Sequence, residues 1–460
     1  MPITNLFIFR RDLRTVDNHA LNAAAAGGAN VMPVFIYNRQ QTSPRRNRYF
    51  SRRAFDYMNV SISDLIAIGC PTLGCYETPG DDLKIIKPIV QEARPAGVYF
   101  NADLASPFAR ARDERIADYC AAAGIECHRI TTDYSLVDPS QMAKPYQKMN
   151  AFVKKYLSGL QKELKDSNKN LDLGLQGRVK WVACPCKSGR IEPHKPNKSP
   201  KNQSKSNRAL ALDILQEIKQ GKFSRYATTR DDIPNERGTT RLSVHLKFGV
   251  VSVREAFAAA RGVPALQREF LIRAFYDQVA YHFKLLPLRR EPEWNDPRAP
   301  QHFEAWTRGR TGFPLVDAAM RQLSATGFMH NRCRMLVASF LVKALHVDWR
   351  EGERWFATQL VDYHPAANNG GWQWAAGTGT DSQPYFRFFS PWIQSAKHDP
   401  DAHYIKLHVP ELRDVPAKAI HAWFKAHAAY PSASYPAPIV DNGIEVKKTL
   451  AAYKMLYKRP

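Results

Sequence analysis

Short apolar runs punctuate the first third of the chain: Leu6-Phe7-Ile8-Phe9, Val31 to Tyr37 and Gly97 to Phe100. Alanine-rich or amphipathic stretches separate them, and this alternation predicts βαβ units on a parallel sheet. The first run leads into Arg10-Arg11-Asp12-Leu13-Arg14, a charge cluster at the carboxyl end of a strand, where open α/β sheets place ligands. No glycine-rich loop follows, which removes most of the support for a conventional dinucleotide-binding enzyme. From about Asp138 the pattern breaks down. Between Lys187 and Arg208 seven Lys or Arg stand against one Glu, among prolines, serines and asparagines, a composition that predicts a solvated linker or long surface loop. Past Arg208 apolar positions return at helical spacing, as in Leu210, Leu212, Ile214, Leu215 and Ile218, and strand signals stay few to the C-terminus. The expected architecture is an α/β N-terminal domain with a parallel, doubly wound sheet (residues 1–131), a basic interdomain linker (132–208) and an all-α C-terminal domain (209–460).

Length supports this division, because 460 residues with 44% hydrophobic composition exceed the ~250–300 residues at which a single core stops growing. Charge adds a partner class. The 66 Lys and Arg against 43 Asp and Glu leave a formal net charge of +23, which points to a polyanion. An anionic membrane is the rival partner, but no apolar run approaches the ~20 residues of a spanning helix, and Met1 to Asn5 lacks a signal layout. A soluble, intracellular protein is expected, in cytoplasm or nucleus depending on the organism. Seven scattered cysteines make no disulfide framework and fit a reducing compartment. Cys184-Pro185-Cys186 would need a second pair nearby to hold a metal, and Cys127 and Cys333 are far off in sequence, so no metal is expected. Of nine tryptophans only Trp181 precedes Trp294. So many oxidisable rings in one helical domain suggest redox or base-stacking work, or the packing of a large helical core.

Asn368-Asn369-Gly370-Gly371-Trp372-Gln373-Trp374, followed by Gly377-Thr378-Gly379-Thr380-Asp381, resembles the flavin-site signature of the photolyase/cryptochrome superfamily. The resemblance covers nearly the whole chain, from Phe9-Arg10-Arg11-Asp12-Leu13-Arg14 with Asp17-Asn18, through Arg237-Gly238-Thr239-Thr240-Arg241-Leu242-Ser243, to Pro410-Glu411-Leu412-Arg413-Asp414-Val415-Pro416. Thr311 to Gln322, Gly327 to Arg332 and Trp349 to Arg354 are most similar to class I cyclobutane pyrimidine dimer photolyases. The resemblance implies a helical domain that holds FAD in a folded conformation, active in its reduced anionic form. It also implies a monomer that repairs UV-damaged DNA with light, by electron transfer from the flavin to a dimer flipped out of the duplex.

The resemblance also assigns residues. A flavin diphosphate needs hydroxyl and backbone donors plus a cation, and Thr239, Thr240, Arg241, Leu242 and Ser243 with Arg273 offer them, preceded by Tyr226 at a flavin-contact position. Thr-Thr-x-x-Ser alone would be an ordinary helix cap. Asn331, Arg334 and Asp362 match contacts around the isoalloxazine ring, where an Arg–carboxylate pair would favour the reduced anionic flavin. Asn368 should face the flavin nitrogen that is protonated on reduction, and an amide there is more like the repair branch than the signalling branch. Glu269 matches the carboxyl group that binds the dimer's base edge; without the motif it would be a helix-surface Glu. Ile272, Arg332 and Met335 match DNA-side positions, and Trp374 would wall the pocket by stacking. Trp294, Trp349 and Trp372 match a relay that photoreduces the flavin, although any one of them alone would be a core tryptophan.

The chain departs from the pattern at Ile272, where class I enzymes carry Trp, at Ala274, where they carry an acid, and at Phe328, where Trp is common. A second register would slide Arg273 onto the Glu position. His364 stands where a second flavin-contacting Asp is expected. It either tunes the flavin, since imidazole titrates near pH ~6.5, or is a satisfied core histidine. An antenna chromophore, folate or deazaflavin, is a further expectation, although Asp103 to Arg110 lacks the acid of folate-type members. The alternatives are a cryptochrome-like blue-light receptor, which usually has a C-terminal extension beyond the point where this chain ends, and a (6-4) photolyase, which has histidines at the positions of Asn331 and Met335. A plain DNA-binding protein would explain the charge but not the flavin motif.

Overall fold

The computed structural model describes residues 3–166, 179–196, 205–381 and 388–458. The chain forms two compact units, one of residues 1–224, 241–284 and 362–366, the other of residues 225–240, 285–361 and 367–460.

The first unit is built on a sheet of β1 (Thr4–Phe9), β2 (Asn30–Asn38), β3 (Gly74–Thr78), β4 (Gly97–Asn101), β5 (Glu126–Ile130), β6 (Lys180–Trp181) and β7 (Arg190–Ile191). Its order is β5-β4-β1-β2-β3-β7, with β6 paired to β2. The apolar run Leu6 to Phe9 is buried throughout, as expected of a parallel strand covered on both faces, and it pairs in register with β2 from Thr4↔Asn30 to Phe9↔Phe35. Strand order reverses between β1 and β4, the switch point at which such sheets bind ligands. There Arg11 donates to both carboxylate oxygens of Asp103, at 2.7 and 2.9 Å. Asp12 accepts from Asn101 at 2.5 Å. The charge cluster after β1 is thus largely occupied by the chain's own groups.

The stretch expected to be a solvated linker is in part packed. It holds the Met149–Asp166 helix, β6 parallel to β2 and β7 antiparallel to β3. Cys184 and Cys186 lie in the sheet's core, where Tyr76 donates its hydroxyl to the Cys186 carbonyl at 2.9 Å. Strands of two residues pair through backbone alone and leave no alternating pattern to detect. The rest of the predicted linker, 167–178 and 197–204, lies outside the described residues.

The second unit is helical. Its core gathers Trp306, Phe313, Met320, Leu336, Phe340, Phe356 and Trp372, all buried. Asp317 clamps this unit: its carboxylate accepts from Thr311 N–H at 2.9 Å, Thr311 hydroxyl at 2.6 Å, Gly312 N–H at 3.0 Å and the Tyr435 hydroxyl. Gly312 has φ +75° and a Cβ there would overlap the Ala437 carbonyl, so only glycine fits. No helix among the described residues is long and apolar enough to cross a membrane.

Candidate flavin and DNA site

In the first unit the Pro264–Phe283 helix carries Glu269, Ile272 and Arg273 at spacings that put them on one face. Each is half-buried. One turn further the same stripe brings in Asp277, only 6% exposed. Asp362 and His364, both buried, follow in a turn, and His364 Nε2 lies 3.5 Å from Asp277 Oδ1. Arg273 and Lys247, with Arg11 from the end of β1, act electrostatically on this group alongside Asp103 and Asp362. Three cations therefore stand against three carboxylates. Burial pushes Asp277 up to about 6 against the pull of Arg273 and Arg11. Burial, with the charges of Arg273, Arg11 and Lys247, holds His364 well below the ordinary imidazole value. His364 is therefore neutral at physiological pH. Desolvation and Arg11 bring Lys247 down to about 7. Arg241 is exposed in the left-handed region at φ +51°, Leu242 is buried, and Ser243 opens the Ser243–Lys247 helix.

In the second unit Tyr226 is buried at the start of a short helix, and Thr239 and Thr240 are half-buried after a turn closed by Gly238 N–H on the Asn235 carbonyl at 2.9 Å. The Asn331–Lys343 helix is capped by His330, whose Nδ1 accepts from Arg332 N–H at 3.2 Å. Asn331 and Met335 share a face one turn apart, with Nδ2 3.7 Å from Sδ, and Arg334 Nε donates to the Met329 carbonyl at 2.8 Å. Arg332 turns elsewhere and pairs with Asp231 at 2.6 Å.

Asn368 donates its amide to Glu353, at 3.0 Å to Oε1 and 3.2 Å to the main-chain carbonyl. On the next turn Trp372 is buried edge-on to Phe356 at 5.0 Å and Trp306 at 6.1 Å. A Cβ at Gly352 would overlap the Trp372 ring, so the helix that Trp349 begins lies against Trp372. Trp349 is buried beneath the Arg350 guanidinium at 4.7 Å. Trp294, half-buried, stacks on His346 at 4.5 Å and 13°. Trp374 is tilted on Phe389 at 5.9 Å.

Residues 5–171 match the family model described as DNA photolyase, and residues 266–455 match the FAD binding domain of DNA photolyase. The deoxyribodipyrimidine photo-lyase of Escherichia coli is 35% identical over 99% of both chains, and that of Halobacterium salinarum 36% identical over 98% of both. The chain belongs to the DNA photolyase family. A solved archaeal photolyase from Sulfolobus tokodaii, described with two FAD molecules, matches this photolyase-family chain at a TM-score of 0.82 and 34% identity, over 98% of this chain and 100% of that one. A class III photolyase from Agrobacterium tumefaciens matches at 0.80 and 30%, over 100% and 98%. A Synechocystis cryptochrome, 24% identical, shares the fold, with a TM-score of 0.81 over 98% and 99%.

The side chains of this photolyase-family member fit FAD. Arg273 Nε and both Asp277 oxygens are buried with no hydrogen-bond partner among the described residues, which is polar capacity suited to a nucleotide's phosphates and hydroxyls. Sequence reasoning missed Asp277, Glu353, Lys247 and Asp231. Glu353 lies inside a motif that was recognised, but nothing in its spacing shows that it grips Asn368.

Proposed function

We propose that this photolyase is a deoxyribodipyrimidine photo-lyase that binds UV-damaged DNA and opens cyclobutane pyrimidine dimers. The observation that carries the reading is the amide of Asn368, with its nitrogen committed twice to Glu353. That leaves Oδ1 as the outward atom, an acceptor suited to a flavin N–H. When bound in reduced form, FAD supplies the light-driven electron that splits the cyclobutane ring and takes it back. The chain's residues bind, orient and exclude water. Thr239, Thr240, Ser243 and Arg273 supply donors and charge for the diphosphate, and Tyr226, Arg241 and Leu242 complete the contacts. By resemblance, Asn331, Arg334, Asp362 and His364 are contacts of the ring system.

On the DNA side Glu269 holds the dimer's base edge, Ile272 and Met335 give apolar contact, Trp374 stacks and Arg332 meets a phosphate. Trp294, Trp349 and Trp372 carry electrons inward when the flavin is oxidised. A second chromophore of folate or deazaflavin class is a further expectation carried by resemblance. The test is anaerobic blue illumination of the reduced protein with a thymine-dimer oligonucleotide, following restored thymine against a dark control. Light-dependent restoration is expected. Bound flavin and bound lesion without repair would sink the reading in favour of a receptor or a different lesion.

A further inference from the structure

Asp277 lies in the interior stripe of the Pro264–Phe283 helix, one turn after Arg273, and is almost fully buried. Neither of its oxygens has a hydrogen-bond partner among the described residues. Ser135 approaches it and favours its charge without reaching hydrogen-bond geometry. His364 meets it at 3.5 Å. A buried carboxylate with a purely structural task is normally saturated with donors, and Asp317 in the second unit is such a case, with three backbone or hydroxyl contacts at 2.6–3.0 Å and Tyr435 besides. Asp277 is nearly as buried and has no such bond among the described residues. Its charge is balanced by Arg273 and Arg11, while its lone pairs are left over. Desolvating acceptors without pairing them is costly, so a donor from outside the chain is the natural complement. Position 364 carries an imidazole, which cannot supply a carboxylate; the residue packed on that imidazole does.

We propose that Asp277 is a flavin-binding residue, its carboxylate accepting hydrogen bonds from hydroxyl groups of the bound flavin nucleotide while holding His364 and Arg273 in place. The inference rests on the FAD-dependent reading above and deepens it. The test is dark titration of flavin-free protein, without DNA, followed by flavin fluorescence. Asp277→Asn is expected to weaken FAD about tenfold, the order for a hydrogen bond to a charged group. It should also narrow the preference for riboflavin over lumiflavin, which has no hydroxyl chain, because the neutral amide is the weaker acceptor. The paired change Asp277→Asn with His364→Asp returns a carboxylate to the cluster and should recover most of the lost affinity. Parent-like FAD affinity in Asp277→Asn overturns the proposal. So does loss of the far-UV circular dichroism signal in both variants, which would mark Asp277 as a folding residue. Because no light or lesion is used, failure of repair with these affinities intact would overturn the repair reading alone.

Discussion

The side-chain amide of Asn368 is held by Glu353, through 3.0 Å to the carboxylate and 3.2 Å to the carbonyl of the same residue. Glu353 is buried, so this grip is shielded from water and fixes which end of the amide faces outward. Glu353→Ala removes the carboxylate contact and leaves the Asn368 amide held by the main-chain carbonyl alone, so it turns more freely. If Asn368 faces the flavin, the reduced anionic form then loses a fixed acceptor, and its light-driven accumulation should fall by roughly three- to tenfold, the worth of about one hydrogen bond. Absorbance during blue illumination with an external reductant measures it, and an unchanged rise would show that Glu353 does not set the amide.

Glu269 stands on the helix face that also carries Ile272 and Arg273, and it is half-buried. If it holds a base edge, Glu269→Gln removes a charged acceptor from the lesion and leaves the flavin contacts alone. Repair yield should drop by about tenfold at unchanged flavin content, read by chromatography of restored thymine and by the flavin-to-protein absorbance ratio. A parent-like yield would mean that the register has slipped and Arg273 occupies this role.

Trp349 and Trp372 are joined by Gly352, since the glycine lets the Trp372 ring lie on the Trp349 helix. If Trp349 belongs to the relay, Trp349→Phe, which keeps an aromatic ring but raises the oxidation potential, should slow photoreduction by at least about tenfold, with each ~1.4 kcal/mol of added barrier costing a factor of ten. Gly352→Ala acts on the fold instead: overpacking should cost about 1–3 kcal/mol and lower the thermal midpoint. Normal photoreduction in Trp349→Phe would remove that residue from the relay.

Arg332 is paired with Asp231, whose pKa is held below the usual carboxylate range by the Arg332 hydrogen bond and charge despite partial burial. If Arg332 meets a DNA phosphate, that phosphate must compete with this partner. Arg332→Gln should therefore reduce the salt dependence of DNA binding by about one released counterion, with damaged and undamaged duplexes affected alike. Titrations at several salt concentrations check it; an unaltered slope would mean that Arg332 stays with Asp231 in the complex.

How much of this was legible in the sequence follows from what each residue does. Leu6 to Phe9 is buried on both faces of the sheet and so is apolar without interruption, which makes β1 plain; β6 and β7 are two-residue pairings held by backbone and have no such mark. Asn368 and Trp372 sit in a motif that fixes them by order along the chain, whereas Arg273 sits in a segment whose register the sequence leaves open. Asp277 and Glu353 are ordinary acids within helices. Their importance comes from burial and from the partner that each lacks or holds, and neither is written in local sequence. The neutrality of His364 is likewise a property of three cations brought around it by distant segments.

Burial raises the pKa of Asp277 from the ordinary 3.8 to about 6, against the opposing effects of Arg273, Arg11 and Ser135 and with that of Asp103. A group whose folded pKa exceeds its unfolded value holds its proton more tightly when folded, so its ionisation costs stability as pH climbs from about 4 to about 6. His364 acts in the opposite sense, because an imidazole buried neutral costs stability as pH falls below its unfolded value. The clean quantity is the difference between Asp277→Asn and parent, both without flavin. That difference should shift in favour of the variant by on the order of 1–3 kcal/mol between pH 4 and pH 6 and then level off. Urea unfolding across that range measures it, and a difference independent of pH would mean that Asp277 keeps an ordinary carboxylate pKa in the fold.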